Sequence, residues 1–258
     1  MKVKYLLAIG VVWGLGLGTH AQTYVWTGGV NADWSTDGNW TVAGSPSGGG
    51  LEAWFGSVAD PTTTVNIAGD VGSSGSRNGR TIHGYTASAT AVGTVNMNSG
   101  TLFMNEGYYL NFTTANGMSI TFNIASGATV DIANGGASNP GSLVMNLGNT
   151  TNTRTAALNV DGTLNLASSL FLNNSTSSDS SSANDAATVT VASGGRIDVG
   201  DDIWMSDTTA SVSTLDIQSG ATVDFGSGVD RRLFTGRGAA TINVPTGANL
   251  LDPTHLHL

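Results

Sequence analysis

The sequence predicts an all-β fold: a right-handed parallel β-solenoid (β-helix) with three strands per coil, a period of about 27 residues and an N-terminal cap. One phrase recurs along the chain, as T-F-N-I-A-S-G-A-T-V-D-I from Thr121, T-V-T-V-A-S-G-G-R-I-D-V-G from Thr188 and T-L-D-I-Q-S-G-A-T-V-D-F-G from Thr214. In addition, 36 glycines and only 10% charged residues favour short strands separated by tight turns. Repetition at a fixed period is typical of stacked coils.

Each repeat begins with a short strand in which apolar and polar residues alternate. These strands cover residues 94–97, 121–124, 157–160, 188–191, 214–217 and 241–244. Their inward residues are predicted to stack in one buried column: Val95, Phe122, Leu158, Val189, Leu215 and Ile242. The spacings along this column are 27, 36, 31, 26 and 27 residues, so the excess fits exposed loops at 149–155 and 174–185.

A glycine follows each first strand and predicts a turn, at Gly100, Gly127, Gly162, Gly194, Gly220 and Gly247. Next comes a second alternating strand, with the inward pairs Leu102/Met104, Val130/Ile132, Leu164/Leu166, Ile197/Val199 and Val223/Phe225. A third strand follows at 108–111, 143–146, 170–173, 203–206 and 233–236. An up-and-down barrel or a sandwich is the competing interpretation, but neither requires the same strand to recur at one period.

The amino terminus predicts export. Two lysines precede an apolar run at 5–18, and T-H-A-Q at 19–22 suits a signal-peptidase site. We therefore expect a signal peptide at 1–21, an N-terminal cap and entry segment at 22–64, and one solenoid domain at 65–258. Trp26, Trp34 and Trp40 are predicted to cover the first coil, because an open solenoid end needs a lid. We expect no integral membrane segment in the mature chain.

Charge and composition exclude several classes of function. The formal net charge is −9, and it becomes −11 without the signal peptide, which holds both lysines. Such a surface repels nucleic acid. The chain has no cysteine, which excludes disulfides, thiol nucleophiles and thiolate zinc sites. The sequence has no phosphate-binding or dinucleotide-binding motif, and we expect no cofactor.

The predicted cap carries a resemblance to a known family. It reads Y-V-W-T-G-G-V-N-A-D-W-S-T-D-G-N-W at 24–40, A-W-F-G at 53–56 and T-V-N-I-A-G-D-V at 64–71. This pattern resembles the opening of secreted bacterial proteins with autotransporter-associated β-strand repeats. The resemblance implies a passenger-like β-helix protein, extracellular or on the outer surface of a Gram-negative bacterium. It implies no catalytic residues.

The third strands predict an outward aromatic row. Small or polar residues flank each of these strands, so alternation directs Tyr109, Val144, Phe171, Trp204 and Phe234 outward. Tyr109, Phe171, Trp204 and Phe234 are the candidate binding residues, for a polysaccharide or other cell-surface component, or for self-association. The structural alternative is that a loop such as 174–185 covers the row.

An enzymatic alternative rests on charged residues near the third strands. Asp201, Asp202, Asp230, Arg231 and Arg232 are the candidates for a β-helix enzyme that degrades polysaccharides, either a lyase or a glycoside hydrolase. The same residues also suit a solvated patch of mutually neutralising charges. The sequence therefore predicts a structural or adhesive protein first and an enzyme second.

Two further columns have structural and functional interpretations. Asp131, Asn165, Asp198 and Asp224 lie at equivalent positions, where they form either a hydrated ladder or a calcium site between coils, and we assign no metal site. Outward threonines at 94, 121, 188, 214 and 241 lie beside asparagines and predict side-chain ladders. A flat threonine array is also typical of an ice-binding protein, which is the remote alternative.

Overall fold

The structure is a computed structural model, and it describes residues 23–25, 33–40, 52–55, 62–77, 81–83, 92–110, 119–133, 141–146, 153–173, 184–206, 209–226, 231–251 and 253–257. The predicted signal peptide, Trp26, Asp230 and most of the two predicted loops lie outside the described residues.

Short strands make up nearly all of the regular structure. In chain order the first are β1 (Thr23–Val25), β2 (Glu52–Phe55), β3 (Thr62–Ala68), β4 (Thr81–His83), β5 (Val92–Ser99), β6 (Thr101–Met104), β7 (Tyr108–Leu110), β8 (Ser119–Ile124), β9 (Thr129–Ile132), β10 (Leu143–Met145) and β11 (Thr155–Val160). Then follow β12 (Thr163–Leu166), β13 (Leu170–Leu172), β14 (Ala186–Val191), β15 (Arg196–Val199), β16 (Ile203–Met205), β17 (Val212–Ile217), β18 (Thr222–Asp224), β19 (Arg232–Thr235), β20 (Ala239–Asn243), β21 (Asn249–Leu251) and β22 (His255–His257). One 3₁₀ turn spans Asp37–Asn39.

The strands form three sheets, and every strand pairs in parallel with its equivalent in the next coil. The orders are β1-β2-β4-β7-β10-β13-β16-β19-β22, β20-β17-β14-β11-β8-β5-β3 and β21-β18-β15-β12-β9-β6. The predicted β-solenoid is therefore confirmed, and its right-handed winding stays a prediction. Among the described residues, no helix has the length and apolar character needed to cross a membrane.

The core lies inside the coils and consists of stacked apolar columns. Val95, Phe122, Leu158, Val189 and Leu215 pair in register and are fully buried. The inward residues of the second strands are buried as well, as the alternation predicts. Each such side chain contributes about 1.5–3 kcal/mol relative to an exposed position. Ile242, the last member of the column, is only partly buried because β20 is an edge strand.

The corners after the first strands contain the predicted glycines. Five of the six have positive φ, between 76° and 87°, where a side chain would be strained. Gly162 differs, because its constraint is contact: a Cβ there would lie 2.3 Å from the Ala128 carbonyl oxygen. The predicted glycine turns are confirmed. Five of these glycines are required by their positive φ, and Gly162 is required by its close contact with the preceding coil.

At the amino-terminal end, Trp34 and Trp40 are buried in the core cluster, with 3% and 5% of their surface exposed. Their rings make an edge-to-face contact with centroids 4.9 Å apart, and the Trp40 indole N–H donates to the Trp34 carbonyl at 2.8 Å. The Trp34 backbone N–H donates to the Asn66 carbonyl of β3. The predicted burial is confirmed for these two residues. The strands β1 and β2, which fall in the predicted cap segment, extend the nine-stranded sheet.

Tyr108 is an inward residue whose hydroxyl has no hydrogen-bond partner among the described residues. Its ring stacks on Phe122 with centroids 4.6 Å apart, and burial raises the pKa of its phenol. We expect Tyr108→Phe to raise the free energy of unfolding by about 1 kcal/mol at pH 7, because an unsatisfied buried hydroxyl costs about 1–3 kcal/mol. Urea unfolding followed by circular dichroism measures this change.

The same substitution should change how the free energy of unfolding depends on pH in alkaline solution. The unfolded phenol ionises above its ordinary pKa of 10.0, whereas the buried phenol stays neutral. Tyr108 therefore contributes a loss of about 1.4 kcal/mol per pH unit above that pKa, and the variant lacks this contribution. Tyr109→Phe, which removes a hydroxyl from the outer side of the same strand, is the control at pH 7 and should not stabilise. An equal advantage of Tyr108→Phe at pH 7 and pH 11 would contradict this account.

Candidate functional site

Three partly exposed aromatic side chains lie in register on the outer side of the nine-stranded sheet. Phe171 pairs with Trp204, and Trp204 pairs with Phe234, on the adjacent strands β13, β16 and β19. The ring centroids of Phe171 and Trp204 are 6.5 Å apart, and those of Trp204 and Phe234 are 4.3 Å apart. We call Phe171, Trp204 and Phe234 the aromatic strip.

The rings of Trp204 and Phe234 lie nearly parallel, with 6° between their planes. Their separation is close to the spacing of neighbouring strands, about 4.8 Å. The ring faces therefore cover each other along the solenoid axis, and the ring edges point away from the sheet. A molecule that binds to Trp204 and Phe234 therefore contacts the edges of the two rings and not their faces.

The prediction of an exposed row was wrong for Tyr109 and Val144, which are 2% and 0% exposed. Both lie outside the core cluster that contains their neighbours Tyr108 and Leu143, which places them on the outer side of the sheet. The Tyr109 ring lies against the backbone of Gly107, where a Cβ would come within 2.9 Å of it. Alternation thus determined the side of the sheet correctly, but the row is open only from Phe171 onward.

Arg232 lies beside the strip. Its guanidinium carbon is 5.0 Å from the centroid of Phe234 and 5.7 Å from that of Trp204, within cation–π range. Its Nη2 donates to Asp202 Oδ2 at 2.8 Å, and its backbone N–H donates to Asp202 Oδ1 at 2.9 Å. The Asp202 carboxylate is buried and the Arg232 side chain is 39% exposed, so the pair presents its cation to the surface.

The other enzymatic candidates make no second reactive cluster among the described residues. Asp201 is exposed, and its Oδ2 lies 3.4 Å from the Ser169 hydroxyl. Arg231 Nη1 donates to the Val199 carbonyl at 3.4 Å, and Asp230 lies outside the described residues. Asp202 is engaged by the backbone N–H, Nε and Nη2 of Arg232. This pairing suits a structural role and leaves little freedom for acid–base chemistry.

The column of acidic residues on the six-stranded sheet is bound by arginines. Arg77 Nη2 donates to Asp131 Oδ2 at 2.7 Å, at the edge of the column. Arg196 donates to Asp198 at 2.8 Å through Nε and to Asp224 at 2.7 Å through Nη2, thereby linking two coils. A groove of about 320 Å³ lies beside them, also lined by Arg231.

These contacts favour the charged forms of both partners. The hydrogen bond to Asp198 raises the pKa of Arg196, despite the opposing effect of desolvation. The backbone N–H of Gly226, followed by Arg196, lowers the pKa of Asp224. A carboxyl with a lowered pKa is a poor general acid at neutral pH. No cluster of three or more potential metal ligands occurs among the residues that the structure describes.

The predicted asparagine ladder on the seven-stranded sheet is confirmed. Asn96 donates its side-chain N–H to Asn66 at 2.9 Å, Asn123 donates to Asn96 at 2.8 Å, and Asn159 donates to Asn123 at 2.8 Å. Each amide thus links neighbouring coils along one line. The contacts stabilise the stack, which is the structural interpretation of these columns.

A second polar ladder was missed by the sequence analysis. Asn146, Asn173 and Ser206 follow the third strands with φ of 54°, 59° and 55°, a region that asparagine tolerates. They are buried, and their side chains donate to the carbonyls of Ala186, Val212 and Ala239 at 2.7–2.9 Å. The signal in the sequence is a polar residue after each apolar triplet, as in L-V-M-N, L-F-L-N and I-W-M-S.

A buried ion pair was also missed. Arg154 and Asp185 directly precede the equivalent strands β11 and β14, and their side chains are 0% and 3% exposed. Arg154 donates through its backbone N–H and Nε to Asp185 Oδ1 at 3.0 and 3.1 Å, and through Nη2 to Oδ2 at 2.5 Å. Extending the alignment of the repeats at 157 and 188 by three residues towards the amino terminus places these opposite charges at one coil position.

Comparisons with protein-family models, curated proteins and solved structures found no match.

Proposed function

We propose that this chain is an exported structural and adhesive β-solenoid protein, without catalytic activity, that binds an extended neutral polysaccharide along the aromatic strip. The observation that carries the proposal is the strip itself: three aromatic side chains on consecutive coils, in register and partly exposed. Exposed apolar rows of this kind are typical of interaction sites.

The ring geometry favours a long ligand over a single sugar. Because Trp204 and Phe234 cover each other's faces, a sugar ring cannot stack on both of them, whereas a polymer laid along the solenoid contacts a succession of ring edges through its C–H groups. Hydroxyl groups of the same polymer find Arg232 and the exposed Asp201 beside the strip. Repeated weak contacts along a rigid surface add up to retention.

The negative net charge of the protein favours a neutral polysaccharide over an acidic one as the ligand. With a formal net charge of −9, the protein repels polyuronates and other acidic polymers at low ionic strength. Arg232 does not offset this repulsion, because it is paired with Asp202. A neutral polymer meets no such barrier, and its affinity should depend little on salt.

The enzymatic and ice-binding alternatives have less support. The candidate carboxylate Asp202 accepts hydrogen bonds from Arg232, and Asp198 and Asp224 of the acidic column accept hydrogen bonds from Arg196. The threonine column lies beside asparagines that bond one another along the stack, not beside a second threonine column. Export to the outer surface of a Gram-negative bacterium, with a signal peptide at 1–21 and a cap at 22–64, is supported by the basic and apolar amino terminus and by the resemblance of residues 24–71 to secreted repeat proteins.

Trp204→Ala should leave the fold intact and weaken binding to an insoluble neutral polysaccharide such as cellulose by at least about tenfold. Trp204 is the central ring of the strip, so its loss removes its own contacts with the polymer and also its stacking on Phe171 and Phe234. Such aromatic pairs are worth about 0.5–1.5 kcal/mol each, so the two flanking rings also lose their fixed positions. Depletion binding at several polymer concentrations gives the affinity, and circular dichroism checks the fold.

Val212→Ala is the matched control, because Val212 is an exposed apolar residue on a different sheet. It should bind as the wild type does. Unchanged binding by Trp204→Ala would refute the glycan role of the strip. A change in molecular mass without a change in binding would instead assign the strip to self-association.

A further inference from the structure

The carboxyl-terminal end of the solenoid presents an apolar depression. The strands β20, β21 and β22 are the edge strands of the three sheets at this end. Between them lies a depression of about 480 Å³, whose apolar lining is Leu233, Ala240, Ile242, Val244, Leu250 and Leu256. We call it the terminal depression.

This lining is the inner face of a coil. In the coils before it, the equivalent residues Leu215 and Val223 are fully buried. At the end, Ile242 and Leu250 are only partly buried, and Val244 and Leu256 are 44% and 55% exposed. The end therefore exposes both apolar side chains and the hydrogen-bonding edges of three strands, which together favour docking of another β structure.

The depression differs in charge from the rest of the chain. Residues 238–251, which form most of its wall, include no Asp, Glu, Lys or Arg, whereas the chain as a whole has a formal charge of −9. Two copies of an acidic protein repel each other over most of their surfaces. They meet with the least repulsion at an uncharged face, and such a face is complementary to itself.

We propose that two copies of this chain dock end to end through the terminal depression, related by a two-fold axis. A two-fold axis across the end places identical apolar faces in contact and brings the free strand edges together in antiparallel fashion, as an isologous interface requires. The opposite end is different, because Trp34 and Trp40 are buried there. A head-to-head dimer is therefore favoured over a head-to-tail filament. The proposal does not depend on polysaccharide binding.

The area of the carboxyl-terminal end of the solenoid determines how tightly two copies are expected to bind. A coil of about 27 residues, at about 3.3 Å per residue, has a perimeter of about 90 Å, and a triangular section of that perimeter covers about 390 Å². Two copies then bury on the order of 800 Å², and more once the side chains interlock, which is less than the roughly 1,200 Å² of stable interfaces and places the contact in the weak, transient class. We expect a dissociation constant in the micromolar range.

Sedimentation equilibrium of the purified chain, from about 1 to 200 μM, tests the proposal. The wild type should shift from the mass of one chain to twice that mass. Val244→Asp places two like charges in the interface and should raise the dissociation constant by about 100-fold. Val212→Asp is the matched control, because Val212 is 48% exposed and does not line the depression. It should dimerise as the wild type does.

Leu256→Asp, on another wall of the depression, should act like Val244→Asp. Trp204→Ala should leave the dimer unchanged, which separates this interface from the aromatic strip. The proposal is overturned if the wild type stays monomeric at 200 μM, if Val212→Asp weakens association as much as Val244→Asp, or if the mass increases without limit, since an open series indicates head-to-tail stacking.

Discussion

Asp185→Ala is expected to lower the free energy of unfolding by about 3–5 kcal/mol, because it leaves the guanidinium of Arg154 buried without its counter-charge. That side chain is 0% exposed, and its Nε and Nη2 donate to the Asp185 carboxylate at 3.1 and 2.5 Å, with a longer contact from Nη2 to the Asn146 carbonyl at 3.5 Å. The carboxylate also accepts the Arg154 backbone N–H at 3.0 Å. Urea unfolding at neutral pH measures the loss.

Asp198→Ala is the matched control. Asp198 also pairs with an arginine, but its side chain is 38% exposed, and Arg196 keeps Asp224 as a second partner. Exposed pairs are worth about 0–1 kcal/mol, so this variant should be nearly as stable as the wild type. Equal effects of the two substitutions would contradict the buried pair.

A double substitution separates the charge effect from the loss of contacts. Replacing both Arg154 and Asp185 by leucine removes the two charges together, and apolar replacements of buried pairs are often neutral or stabilising. The backbone N–H at position 154 then loses the carboxylate that it bonds, and the Asn146 carbonyl loses its contact with Nη2. A buried group left unsatisfied costs about 1–3 kcal/mol. The double variant should therefore be more stable than Asp185→Ala.

The repeat accounts for how much of the fold was predictable. Alternation in a strand such as 121–124 fixes which residues face inward, and recurrence of the same strand fixes parallel pairing with the next coil. Both are local properties of the sequence, and the structure confirms them. The inward column from Val95 to Leu215 follows from them directly.

The candidate site was predictable only in part, because exposure is not a local property. Tyr109 and Phe171 occupy equivalent outward positions, yet Tyr109 is buried and Phe171 is partly exposed. Alternation determines the side of the sheet but not what lies over it. The ion pair of Arg154 and Asp185 was missed for a related reason: two charges 31 residues apart suggest solvated positions until the coils are aligned.

Gly195→Ala should also destabilise strongly, although alanine occupies the same corner position in two other repeats, as Ala128 and Ala221. Residues 192–195 read A-S-G-G, where the repeat two coils earlier reads A-S-G-A at 125–128 and the following repeat reads Q-S-G-A at 218–221. The equivalent residues Ala128 and Ala221 are buried without difficulty. On the sequence alone the substitution restores the repeat, so it should be harmless.

The structure predicts the opposite, because of the coil that precedes Gly195. There only Asp161 and Gly162 join β11 to β12, whereas four residues form the equivalent corners at 125–128, 192–195 and 218–221. This short connection places the Val160 carbonyl next to Gly195. A Cβ on Gly195 would lie 2.1 Å from that oxygen, whereas the ordinary contact distance is about 3.5 Å. The same oxygen accepts the Ala192 N–H at 2.9 Å, so it cannot withdraw without breaking a bond between coils.

We expect Gly195→Ala to cost about 3 kcal/mol, the upper range for overpacking, by urea unfolding. Gly194→Ala is the adjacent control. Gly194 has φ of 87° and open space around its Cβ position, so its cost is backbone strain alone, about 1–2 kcal/mol. If Gly194→Ala is the more damaging of the two, the short corner at 161–162 does not press on the next coil. If Gly195→Ala is the more damaging, tolerance at a repeat position depends on the length of the neighbouring corner, and agreement with the repeat alone does not determine it.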